Sequence, residues 1–149
     1  IGLAQLDRYP QLLERRREVV RNLDKGLSVD KRIQVLPHEG KDYESSRHLY
    51  ITRVLGANYD QRGEIITKMA ERGVSCNVHY KPLPLLTAYK NLGFDMANYP
   101  KAYAFFENEI TLPLHTKLSD EEVDYIIETF KTVSEKVLAS SKKWQTTVK

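Results

Sequence analysis

The segment from Ser119 to Val137 places the strongest demand on the fold. Val123, Ile126, Ile127, Phe130, Val133 and Val137 recur with helical spacing and line one face. Ser119-Asp120-Glu121-Glu122 stands before them as a capping box, in which the serine and Glu122 satisfy each other's backbone amides. A helix with one apolar face is stable only against a second layer. The rest of the chain must supply that layer.

It offers helices and short strands in alternation. Leu6, Tyr9, Leu13, Val20, Leu23 and Leu27 trace a second apolar stripe, with a kink or restart expected at Pro10 and a stop at Gly26. Arg15, Arg16 and Arg17, flanked by Glu14 and Glu18, read as a solvated helix face. Ile33 to Leu36 is a short strand ended by Pro37, and His38 to Ser46 reads as a loop. His48 to Leu55 is the clearest strand, with His48, Tyr50, Thr52 and Val54 on one face and Leu49, Ile51 and Arg53 on the other. Asp60 is the expected N-cap of a helix carrying Ile65, Ile66, Met69 and Ala70, closed by Gly73. Val74 to Tyr80 then returns as a strand.

After Pro82 and Pro84, Leu85 to Leu92 forms a short helix with Gly93 as its stop. Pro100 opens another helix, to about Asn108, where its missing N–H costs nothing. Ile110-Thr111-Leu112 is a last short strand before Pro113. The sum is an α+β fold: a small, mainly antiparallel sheet of three or four strands with helices packed on one face. One domain spans residues 1–139, and a polar tail, 140–149, is expected to fray.

Composition excludes several classes. With 41% hydrophobic and 29% charged residues the chain is globular and not disordered. The net charge of +3 is mild and both signs are interspersed, so no nucleic-acid surface is implied. No apolar run approaches the roughly 20 residues of a membrane span. Cys76 is the only cysteine, so no internal disulfide is possible, and a cytoplasmic location fits. The chain opens without a methionine, in what reads as the middle of a helix, and is expected to be a piece of a longer protein.

The sequence holds no Gly-rich phosphate loop, no H-E-x-x-H, no C-x-x-C and no G-x-S-x-G. The histidines at 38, 48, 79 and 115 lack metal-ligand spacing. His115, in a Leu-Pro-Leu-His turn, reads as structural. One segment stands out. Asn77-Val78-His79-Tyr80-Lys81-Pro82-Leu83-Pro84 gathers an amide, an imidazole, a phenol and an ammonium at a strand end, before a proline-stiffened loop. Either these groups meet a ligand, or His79 bonds a neighbouring carbonyl and Lys81 is simply solvated.

The order of segments resembles the C-terminal portion of the DegT/DnrJ/EryC1/StrS aminotransferases. The matching stretches are Ile1 to Leu6 with the Arg15-Arg16-Arg17 helix, His48-Leu49-Tyr50 with Arg53-Val54, Arg62 through Val74, Asn77 to Pro84, and Leu112 to His115 with Leu118 to Val123. They run in order to about Leu138. The resemblance implies the small domain of a fold-type I pyridoxal-phosphate enzyme. Such an enzyme transfers an amino group, typically from glutamate, to a nucleotide-linked keto-sugar. It further implies an N-terminal large domain that carries the cofactor lysine and most of the cofactor site. The intact protein would be a homodimer, and this portion alone would bind no cofactor and be inactive. His79 and Tyr80 would face the nucleotide-sugar, with Asn77 and Lys81 as further substrate contacts. No catalytic, cofactor or metal residue is expected here. The alternative is a non-catalytic, small-molecule-binding or regulatory α+β domain.

Overall fold

A computed structural model describes the backbone of residues 2–147 and the side chains of residues 2–140. Helix α1 (Gly2–Leu27) leads into strand β1 (Ile33–Val35), then β2 (Glu39–Gly40), β3 (Tyr43–Glu44) and β4 (Tyr50–Val54). Helix α2 (Tyr59–Ala70), two short helices, α3 (Thr87–Asn91) and α4 (Pro100–Phe106), strand β5 (Glu109–Leu112) and the long α5 (Asp120–Thr147) complete the order. The main sheet is antiparallel in the order β1-β4-β5, with Tyr50 opposite Leu112 and Thr52 opposite Ile110. The expected α+β architecture is present.

Strand alternation decides where the core lies. Tyr50, Thr52 and Val54 are buried, and Ile110 and Leu112 share their face. Helices α1 and α2 both pack on α5. The α5 stripe of Val123, Ile126, Ile127, Phe130, Val133 and Val137 is buried throughout. The capping box forms as written: Ser119 N–H donates to Glu122 Oε2 at 2.8 Å, and Glu122 N–H donates to Ser119 Oγ at 3.2 Å. The helix continues to Thr147, so the segment read as a fraying tail is helical to that point. Side chains past residue 140, Trp144 among them, and the backbone of Val148 and Lys149 lie outside the described residues.

Several expectations are corrected. α1 runs unbroken through Pro10. Its stripe is buried only at Val20, Leu23 and Leu27; residues 2–11 are all exposed, Leu6 at 64% and Leu3 at 80%. Gly26 lies within α1 and is not its stop: α5 crosses there, and a Cβ at Gly26 would sit 2.6 Å from Ile127 Cδ1. Asn58, not Asp60, caps α2. Its Oδ1 accepts from Gln61 N–H while Gln61 Oε1 accepts from Asn58 N–H, both at 2.9 Å. Ala70 is exposed, whereas Arg62 joins Ile65 and Met69 in the interior. The 38–46 loop contains the small β2–β3 hairpin.

The three arginines are not a solvated face. Arg15 donates to the Leu118 carbonyl at 2.5 Å and to Asp120 at 3.1 Å. Arg16 donates to the Arg47 carbonyl at 2.8 Å, and Arg17 donates to Glu44. Arg47 is itself buried and clamps the hairpin through Glu39 and Glu44. Arg15 therefore ties the start of α5 to α1, and Arg16 and Arg17 tie the 44–48 segment to it.

The α1–β1 turn supplies a pH-dependent contact. Asp30 accepts from the Arg32 side chain at 2.7 and 2.9 Å, and that pairing holds its carboxyl below the usual carboxylate range. A lowered folded-state pKa gives stability that is present above the unfolded value and lost as pH falls through the folded one. Asp30→Asn is therefore expected to flatten the acid side of a stability-against-pH curve, followed by urea denaturation. An unchanged acid limb would remove Asp30 from the cause.

Candidate functional site

Strand β5 is buried along its whole length. Ile110 and Leu112 face the helices, so alternation turns Glu109 and Thr111 to the opposite side of the sheet. The segment that follows α2 lies against that side. Gly73, at φ 75°, lets Val74 N–H reach back to the Met69 carbonyl at 3.0 Å and turns the chain toward β5. Asn77 then exchanges both backbone hydrogen bonds with Thr111, at 3.1 and 2.8 Å.

This single bridge replaces the strand expected over Val74 to Tyr80, and side chains explain why. Asn77 Oδ1 takes the Val78 N–H at 2.8 Å, and the Glu109 carboxylate takes the His79 N–H at 3.1 Å. Amides engaged by side chains cannot continue a ladder. The result is an irregular segment fastened to β5 by its polar groups.

His79 is held twice. Besides its N–H, its Nδ1 lies 2.9 Å from Thr111 Oγ1, and that hydroxyl donates to Glu109 Oε1 at 2.6 Å. Glu109 is only 1% exposed. Burial raises its carboxyl above the usual range, while the Thr111 and His79 hydrogen bonds and the Arg62 charge act in the opposite direction. Arg62, 5% exposed, lies over the rings of Tyr59 at 4.6 Å and Phe106 at 4.8 Å, and its Nε has no hydrogen-bond partner among the described residues.

Three of the four residues singled out in the sequence line two different openings. Asn77 and His79 line a pocket of about 260 Å³ together with His48, Leu49 and Thr111. Lys81 lines a different one, of about 250 Å³, with Tyr59, Leu85, Lys90, Tyr103 and Phe106. Tyr80 is 74% exposed and meets the His79 ring edge-on, centroids 4.7 Å apart. The chain thus presents an imidazole and an amide in one place and ammonium groups with phenols in another. His115 is exposed, and its backbone carbonyl accepts from Leu118 N–H at 3.3 Å. Cys76 is no nucleophile at neutral pH, since burial pushes its thiol up to about 12.

Among the described residues no cluster of histidine, cysteine and carboxylate side chains could hold a metal ion. No described helix is long and apolar enough to cross a membrane. Glu109, Thr111, Arg62 and His48 do not stand out as site residues in the sequence. The available signal was the alternation Glu109-Ile110-Thr111-Leu112, which places two polar residues on one face of a strand whose other face is apolar.

Residues 1–131 match the DegT/DnrJ/EryC1/StrS aminotransferase family. A Helicobacter pylori UDP-4-amino-4,6-dideoxy-N-acetyl-beta-L-altrosamine transaminase is 32% identical over 126 residues, covering 85% of this chain and 33% of its own. The Campylobacter jejuni transaminase of the same name is 28% identical over 138 residues, covering 92% and 36%. Spr1654 from Streptococcus pneumoniae, assigned as a sugar aminotransferase and solved in its PMP form, superposes with a TM-score of 0.92 at 71% identity, covering 95% of this chain and 35% of that one. The chain spans about a third of the length of these relatives. With the profile running through every element up to α5, and the fold shared at 71% identity, the chain belongs to the DegT/DnrJ/EryC1/StrS aminotransferase family.

Proposed function

We propose that this chain is the small domain of a pyridoxal-phosphate-dependent aminotransferase that moves an amino group, taken from glutamate, onto a nucleotide-linked keto-sugar. The observation that carries the reading is the family match, which is continuous through the segment holding Asn77, His79, Tyr80 and Lys81. Relatives of this chain are transaminases named for a UDP-linked amino sugar.

Pyridoxal phosphate supplies an electron sink for the amino transfer. It requires a lysine at its aldehyde and a carboxylate at its ring nitrogen. Among the described residues the pocket of Lys81 and Lys90 has no carboxylate in its lining, so its residues do not fit the group. A large domain preceding this chain supplies both, and two copies of the intact protein build composite sites in the cytoplasm.

The chain's own work is recognition. His79 and Asn77 offer hydrogen bonds to sugar hydroxyls from a segment that β5 already holds, so little order is lost on binding. The exposed Tyr80 ring packs on the sugar or nucleotide. Lys81, with Lys90 beside it, provides point charge for a diphosphate.

The test uses the full-length protein. Its sequence upstream of Ile1 should hold a lysine in a Ser-x-His-x-x-Lys-like block, after a strand bearing an aspartate. His79→Ala should raise KM for the nucleotide-sugar about tenfold, a loss of about 1.4 kcal/mol, and leave the glutamate half-reaction unchanged. An upstream sequence without such a lysine, or a variant with an unaltered KM, defeats the proposal.

A further inference from the structure

The proton count along Glu109, Thr111 and His79 fixes more than the position of the imidazole. The Thr111 hydroxyl has one proton and two neighbours, Glu109 Oε1 at 2.6 Å and His79 Nδ1 at 2.9 Å. An ionised carboxylate can only accept. It takes the hydroxyl proton, so the oxygen of Thr111 meets Nδ1 with a lone pair, and Nδ1 must itself carry a hydrogen. The other carboxylate oxygen accepts from the His79 amide, which can only donate.

We propose that Glu109 and Thr111 are positioning residues for His79: they hold the neutral imidazole as its Nδ1–H tautomer and leave Nε2 as a hydrogen-bond acceptor. The consequence for function rests on the reading of His79 as a sugar contact given above. With Nε2 as acceptor, His79 selects a hydroxyl or ammonium donor on the ligand and disfavours a carbonyl or ether oxygen at that point. A donor-selecting histidine suits a hydroxyl-rich substrate.

The relay is that of the ionised carboxylate: burial raises the Glu109 carboxyl, and the Thr111 hydroxyl, the His79 N–H and the Arg62 charge act against that rise. With His79 neutral, Arg62, from α2, is the cation whose charge acts on Glu109. Arg53, opposite Glu109 in the β4–β5 register, is engaged elsewhere, donating to Asn108, Gln34 and the Ala104 carbonyl. The relay has an internal control. In Glu109→Gln the amide oxygen must stay where the His79 N–H donates, which places the NH₂ against Thr111. The hydroxyl then turns its proton to Nδ1, and His79 carries its hydrogen on Nε2. One isosteric change thus inverts the tautomer with no heavy atom moving.

The experiment labels the chain with ¹⁵N-histidine and reads which ring nitrogen is protonated from two-bond nitrogen–proton correlations, above the pH range of imidazole titration. His79→Gln identifies the His79 signals, and unchanged signals from His38, His48 and His115 confirm the fold. The wild type should show Nδ1–H. Glu109→Gln and Thr111→Val should both show Nε2–H, whereas Thr111→Ser, which keeps the hydroxyl, should retain Nδ1–H. A wild type already in the Nε2–H form, or variants that leave Nδ1–H in place, would overturn the relay. In the full-length protein Glu109→Gln should raise KM for the nucleotide-sugar several-fold with kcat nearly constant. An inverted tautomer with an unmoved KM supports the relay and removes the sugar contact; an unmoved tautomer removes the relay whatever KM does.

Discussion

Phe130→Ala is expected to remove about 3–5 kcal/mol of folding stability. Phe130 is fully buried on α5, in the single core to which α1, α2, β4 and β5 all contribute. Truncation loses the transfer energy of the ring and leaves a cavity that two packed helices cannot close without moving. A domain of this size is stable by about 5–15 kcal/mol in total, so the loss is a large fraction of it. Urea denaturation should show a lower midpoint at an unchanged slope. Phe130→Leu, which keeps most of the volume, should lose less. If Phe130→Ala lowered the unfolding free energy by less than about 1 kcal/mol, Phe130 would not be packed in this core.

The second large effect is expected at Gly26, where the sign is decided by two opposed terms. Alanine in a helix interior is favoured over glycine by about 1 kcal/mol. Here, however, the added Cβ would lie 2.6 Å from Ile127 Cδ1 and 2.8 Å from Cγ2. Ile127 is buried and β-branched, with one preferred rotamer in a helix, so it cannot swing aside cheaply. Overpacking of this kind costs about 1–3 kcal/mol. Gly26→Ala should therefore be close to neutral or mildly destabilising. Gly26→Val, with two further carbons in the same space, should lose about 2–3 kcal/mol. Thermal denaturation of the pair is the check; a Gly26→Ala protein clearly more stable than wild type would show that α1 and α5 do not meet at this point.

These two residues also show what a sequence can disclose. Phe130 lies on a stripe that was readable because its period and its capping box are local: Ser119, Glu122 and the apolar positions sit within a few turns of one another. Gly26 was misread because the reason for it, Ile127, lies about a hundred residues along the chain. The three arginines failed in the same way. Arg15 reaches Leu118 and Arg16 reaches Arg47, and no local pattern marks either partner. Asn58 and Asp60 are both good caps, and what separates them is Gln61, three residues after Asn58, which completes a capping box.

The candidate site was legible in half. The residue types of Asn77 to Lys81 stand out locally, since an amide, an imidazole, a phenol and an ammonium fall within five residues. What fastens them does not. Glu109 and Thr111 sit in a short strand whose pattern reports the apolar face, and their meaning arises only when His79 is brought against them from thirty residues away.

The arginine triplet of α1 has a mechanical implication. Successive helical residues point about 100° apart, so Arg15, Arg16 and Arg17 grip the chain from three directions around one shaft. Inserting one residue between Arg17 and Val19 would turn all three grips out of alignment with the buried side of the helix, whereas seven inserted residues, close to two full turns, would nearly restore it. The axial roll of α1 is thereby locked, even though residues 2–11 at its start are exposed.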